Sequence, residues 1–150
     1  RAEIYIVREV ICGMFSYMKH TAPEIVFTSS MLFAQDRISD FKGQWRLLII
    51  SGATKETVEL LESGAAGLEE RDLKVFILSG VGMPEYAAKP SLAKELETRL
   101  TPPKGEPMVY LIGKDGKTTL NWALGDFTMP KLFASIDAMP MRKREMRERK

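Results

Sequence analysis

Three short apolar runs constrain this chain more than anything else in it: RLLIIS at 46–51, LKVFIL at 73–78 and MVYLIG at 108–113. A strand with one wet face alternates apolar and polar residues. An unbroken run belongs to a strand buried on both faces, so the fold must lay helices on either side of a sheet. The intervening segments carry that helical spacing. Val58, Leu61, Ala65 and Leu68 share one face, although Gly64 and Gly67 weaken its second half. Leu92, Leu96 and Leu100 mark a further helix, preceded by Pro90 and Ser91 as start signals. Asp115-Gly116 predicts a hairpin, because Gly accepts positive φ, and TTLNW at 118–122 is the returning strand. Thr128 is placed to cap a last helix with Pro130 in its first turn and Leu132, Phe133 and Ile136 facing inward.

The resulting order is β-α-β-α-β-β-α. Right-handed crossover makes the first two strands parallel neighbours, and the Asp-Gly turn makes the last two antiparallel. Strand 46–51 is expected to have parallel neighbours on both sides. This element order is that of the thioredoxin fold, an α/β class with a mixed central sheet. Pro107, directly before the third run, stands where thioredoxin-like proteins place a cis-proline facing the active-site turn. Upstream, Ile4, Val7, Ile11, Met14 and Met18 predict a helix. IVFTSSMLFA at 25–34 fits strand or helix, and SDFKGQ reads as a short turn. Residues 1–38 are thus an N-terminal helical extension, and 39–150 a thioredoxin-like domain with a basic C-terminal helix. The chain starts at Arg1, so it is expected to be processed or excised from a longer one.

In a redox-active thioredoxin fold the first strand leads into CxxC, whose thiol is acidified by the helix start. Here that place reads Thr54-Lys55-Glu56-Thr57. Hydroxyls form no disulfide, and no histidine lies nearby in sequence to activate them. Thr54, Thr57 and Pro107 therefore outline a degenerate active-site turn in which Thr54 caps a helix and Glu56 favours its positive end. No catalytic residue, metal or cofactor is expected. Cys12 is the sole cysteine, which excludes an internal disulfide, and it lies beside an apolar helix face. His20, the sole histidine, lacks carboxylates at ligand spacing. EERD at 69–72 reads as a solvated face, and SGVGMPEY at 79–86 lacks the third glycine of a dinucleotide loop.

Charge is uneven. The last ten residues hold Arg142, Lys143, Arg144, Arg147, Arg149 and Lys150 against Glu145 and Glu148, while the first 140 are net −2. Pro140 suits the first turn of a helix, along which Arg142–Glu145, Arg144–Glu148 and Glu145–Arg149 pairs are expected. As a helix this is either a solvated face or a basic stripe for sulfated polysaccharide, anionic lipid or nucleic acid, with those six cations as the polyanion-binding set. Nucleic acid is disfavoured by the two glutamates and by the absence of interleaved aromatics for stacking. No apolar run is long enough for a membrane span.

FKGQWRLLIISG, GLEERDLKVFILSG, VYLIGKDGK and LFASIDAMPMRKREM together resemble the P-DUDES domain. That domain is shared by sushi-repeat-containing proteins, equarin and related matrix proteins, and has compact bacterial relatives of unknown function. The resemblance spans about 39–148; IDAMPMRKREM is its most specific part, and GKDG is closest to the bacterial members. It implies a thioredoxin-like fold without the redox motif, and secretion with roles in adhesion and signalling for animal members. Many of them carry a cysteine before the GL..R segment, where this chain has Ala66. The expected function is a non-enzymatic binding module of a secreted, matrix-associated or cell-envelope protein, with a protein partner and sulfated polysaccharide as ligands. The alternative is a divergent enzyme or redox accessory that uses Cys12 or the Pro107 side of the fold. A third reading is intracellular nucleic-acid binding through the tail.

Overall fold

The computed structural model describes residues 36–149. The expected helix at 4–18, the ambiguous segment 25–34, Cys12, His20 and Lys150 lie outside the described residues.

A one-turn helix, α1 (Ile38–Phe41), opens the described chain where a plain turn was expected. Its two apolar residues, Ile38 and Phe41, are both buried. The boundary expected after residue 38 falls inside this turn. Strand β1 (Arg46–Ser51) follows, then α2 (Lys55–Ser63) and α3 (Ala65–Glu70). These two are the single helix of the sequence pattern, broken at Gly64, where a glycine costs the helix most. Strand β2 (Leu73–Ile77) leads through a 3₁₀ turn at Pro84–Tyr86 into α4 (Pro90–Leu100). Pro90 is the first residue of α4, where its missing N–H is no loss. Strands β3 (Met108–Ile112) and β4 (Thr118–Ala123) form the hairpin. Gly116 sits in its turn at φ 78°, and the Asp115 carboxylate accepts from the Lys117 N–H at 3.1 Å. After a 3₁₀ turn at Leu124–Asp126 come α5 (Met129–Asp137), capped by Thr128, and α6 (Pro140–Glu148).

The sheet order is β2-β1-β3-β4. β1 runs parallel to β2 but antiparallel to β3, and β3 is antiparallel to β4. The expected second parallel neighbour of β1 is therefore corrected. The chain passes from α4 into β3 in the opposite sense, and a crossover helix alone does not dictate direction when its strand lands on the other side of β1. The pairing of β3 with β4 shifts between Leu111 and Ile112, so Thr119 is an extra residue in β4.

The apolar runs are explained by two separate cores. Leu48 and Ile50 of β1, with Val109 and Leu111 of β3, pack under Leu61, Leu68, Leu132 and Ile136 of α2, α3 and α5. Leu47 and Ile49, with Tyr110 and Ile112, face Phe41, Leu92, Leu96 and Leu100 of α1 and α4. β1 contributes alternate residues to each, and Leu47 through Ile50 are all at most 1% exposed, which is why its sequence does not alternate.

Candidate functional site

The C-terminal end of β1 is where the fold places its candidate site. Gly52 turns the chain at φ 76°, and a Cβ there would stand 2.9 Å from the Cβ of Pro107. Only glycine lets the two segments meet so closely. Pro107 is thus set against the turn that leads to Thr54. The Ser79 carbonyl accepts from the N–H groups of Gly52 (3.0 Å) and Ala53 (2.9 Å). The Ser79 hydroxyl accepts from Gly52 N–H at 2.8 Å and lies 3.2 Å from the Ser51 hydroxyl. A shallow groove of about 300 Å³ lies between Ser51 and Ser79 on one wall and Pro103, Glu106 and Pro107 on the other.

At the start of α2, Thr54 and Thr57 close on each other. Thr57 N–H donates to the Thr54 hydroxyl at 3.3 Å, the Thr57 hydroxyl accepts from Thr54 N–H at 3.4 Å, and the two oxygens lie 3.0 Å apart. This reciprocal capping satisfies the first amides of the helix. Thr57 is buried and Thr54 exposed. Among the described residues no carboxylate, amine or imidazole hydrogen-bonds either hydroxyl, so neither has a base to deprotonate it. No cluster of residues able to hold a metal occurs among the described residues.

The opposite end of β1, five residues and roughly 17 Å away, holds an ionic cluster. Arg46 is 1% exposed. Its guanidinium donates to both Glu145 oxygens at 3.1–3.3 Å and to the Arg71 carbonyl at 2.9 Å. Lys114, in the hairpin turn, pairs with Asp72 and Glu145, each at 2.8 Å. Arg142 is also 1% exposed; it pairs with Glu70 at 2.9 Å and Asp137 at 3.3 Å. Arg71 pairs with Asp137 at 2.6 Å, and its guanidinium stacks 4.4 Å from the Phe133 ring. Burial raises the carboxyl pKa values of Asp72 and Glu145, but the hydrogen bond from Lys114 and the charges around them outweigh it, so both end below the usual range. Asp137 is held low chiefly by its hydrogen bond from Arg71.

This cluster corrects three expectations. Arg142 is buried and paired, so it is not an exposed polyanion ligand. Arg149 reaches back to Asp72 at 3.3 Å and to the Glu70 carbonyl at 3.1 Å rather than to Glu145. Of the EERD stretch, Glu69 and Glu70 are exposed as expected, but Arg71 and Asp72 are half-buried in ion pairs, and Glu70 pairs from the rim with Arg71 and Arg142. The Arg142–Glu145 pair is present at 3.8 Å, but Glu145 spends its carboxylate mainly on Arg46 and Lys114. Lys143, Arg144, Arg147 and Arg149 remain exposed, the last of them paired with Asp72. One sequence signal pointed here: Arg46 heads a strand buried on both faces, and such a charge must find a carboxylate.

The chain belongs to the family of the domain of unknown function DUF4174, which matches residues 37–145. No curated protein matches it. Among solved structures it is similar to the peroxiredoxin Prx1a of Plasmodium yoelii, in a form modified at the N-terminus that forms an artifactual octamer. The two are 14% identical with a TM-score of 0.54, over 71% of this chain and 80% of that one. At that identity the likeness establishes the fold, which is thioredoxin-like.

Proposed function

We propose that this DUF4174 member is a thioredoxin-like binding module that does not turn over a substrate, working in a secreted, matrix-associated or cell-envelope setting. One observation carries the reading. Where the fold offers a nucleophile at the start of α2, the hydroxyls of Thr54 and Thr57 are spent on each other and on the helix amides. The ligands are a protein partner and sulfated polysaccharide, the latter through Lys143, Arg144 and Arg147 on the exposed side of α6. The resemblance to P-DUDES domains supports the extracellular or envelope setting.

The test is an assay of insulin disulfide reduction and of peroxide consumption. Insulin reduction should stay at background because one cysteine cannot cycle as an internal dithiol, and peroxide consumption because the turn at Thr54–Thr57 offers hydroxyls in place of a thiolate. Turnover that disappears in Cys12→Ser would overturn the reading and establish a redox accessory. Secretion of a reporter fused to the natural full-length gene product tests the setting, and retention in the cytosol would refute it.

A further inference from the structure

The attachment of α6 differs in kind from that of α5. Both helices have nine residues. α5 buries Met129, Leu132 and Ile136, whereas the only buried residue of α6 is Arg142. What holds α6 down is charge: Arg142 on Glu70 and Asp137, Glu145 on Arg46 and Lys114, and Arg149 on Asp72. The helix is also separately jointed. Met139, the N-cap of α6, interrupts the helical run with an extended backbone, φ −68° and ψ 139°, and packs its side chain on the core, so α6 is a separate helix that starts from an anchored joint.

Undocking such a helix does not strand buried charges. Arg46, Lys114, Arg142 and Glu145 would all return to water, and the desolvation cost is refunded as the pairs are lost. Buried ion pairs come close to break-even on that exchange, unlike apolar burial. Ionic docking therefore holds α6 less firmly than apolar burial holds α5, and a ligand that prefers the free helix can shift the balance.

We infer that α6 is an ionic latch whose undocking assembles the polyanion site, an inference that rests on the polysaccharide reading above. Docked, the helix shows a polyanion Lys143, Arg144 and Arg147, while Arg142 is buried among carboxylates of the body and Arg149, exposed just past the helix, is paired with Asp72. Free, residues 140–150 carry six cations against Glu145 and Glu148 and leave Glu70, Asp72 and Asp137 behind. A sulfated chain gains two cations and escapes three carboxylates by binding the undocked helix, so it draws the latch open.

Heparin oligosaccharide titrated into the whole chain by calorimetry tests this, using Glu145→Gln and Glu148→Gln. Each removes one negative charge from α6, but only Glu145 is part of the latch. Glu148→Gln should tighten binding about twofold, as loss of an exposed charge does. Glu145→Gln should tighten it about tenfold, since the competent state no longer has to be drawn from a minor population. Amide exchange over 140–148 should quicken in Glu145→Gln while β1 stays protected. Equal gains in the two variants with unchanged exchange would overturn the latch and leave the polysaccharide reading standing. No heparin binding by any form would overturn that reading and the coupling with it. If β1 loses protection in Glu145→Gln, Asp137→Asn takes its place, because it frees Arg142 from the α5 side.

Discussion

At the scale of single residues, Arg46 opens β1 and Gly52 directly follows its last residue, and the two resist replacement for different reasons. Gly52→Ala puts a Cβ against Pro107 in a left-handed backbone. It should cost more than about 1 kcal/mol in urea unfolding. Arg46→Met leaves half-buried Glu145 with Lys114 as its main remaining partner. Its cost should stay below the roughly 3 kcal/mol of a trapped broken pair, because α6 can undock and return Glu145 to water. The double variant Arg46→Met/Glu145→Met removes both charges and should recover much of that loss, because the pair contributes little net stability once desolvation is counted. A double variant no more stable than Arg46→Met would show that the Arg46–Glu145 contact is stabilising in its own right. Thr54→Ala should cost about 1 kcal/mol through the lost cap, with Thr54→Ser near wild type.

At the scale of elements, the ionic cluster makes α6 the acid-sensitive part of the molecule. Asp72, Asp137 and Glu145 have folded-state pKa values below their ordinary values of 3.8, 3.8 and 4.5. A lowered carboxyl pKa adds stability that is fully present above the ordinary value and is lost as pH falls through the folded one. Melting temperature should therefore stay level as pH falls from neutrality to about 5 and drop below about 4. Amide exchange over 140–148 should quicken first on acidification. Simultaneous loss of protection in α5 and α6 would show instead that the two helices unfold as one. High salt should loosen α6 at neutral pH, because its exposed pairs are screened.

At the scale of the whole molecule, stability is centred on β1. It is paired on both sides and contributes to both cores, so its amides at Leu47–Ile50 should exchange last. β4, paired on one side and exposed along most of its length, should exchange first among the strands. The chemistry of the fold sits at one end of this strand and its ionic cluster at the other, so changes in α6 can proceed without disturbing the Thr54 turn.

The sequence by itself determined the elements, because the signals for them are local. Continuous apolar runs identified β1, β2 and β3. The Asp115-Gly116 turn identified the hairpin, and Thr54 and Thr128 the helix starts. The absence of thiols in the turn at Thr54–Thr57 was legible for the same reason. Tertiary structure alone decided the direction of β3 against β1, since strand burial is the same for either sense. It alone decided that Arg142 is buried while its neighbour Lys143 is not. Charges in a run look alike in sequence. Whether each meets water or a carboxylate depends on partners such as Glu70, 72 positions away, and Arg46, 99 positions from Glu145, which only the folded chain brings within reach.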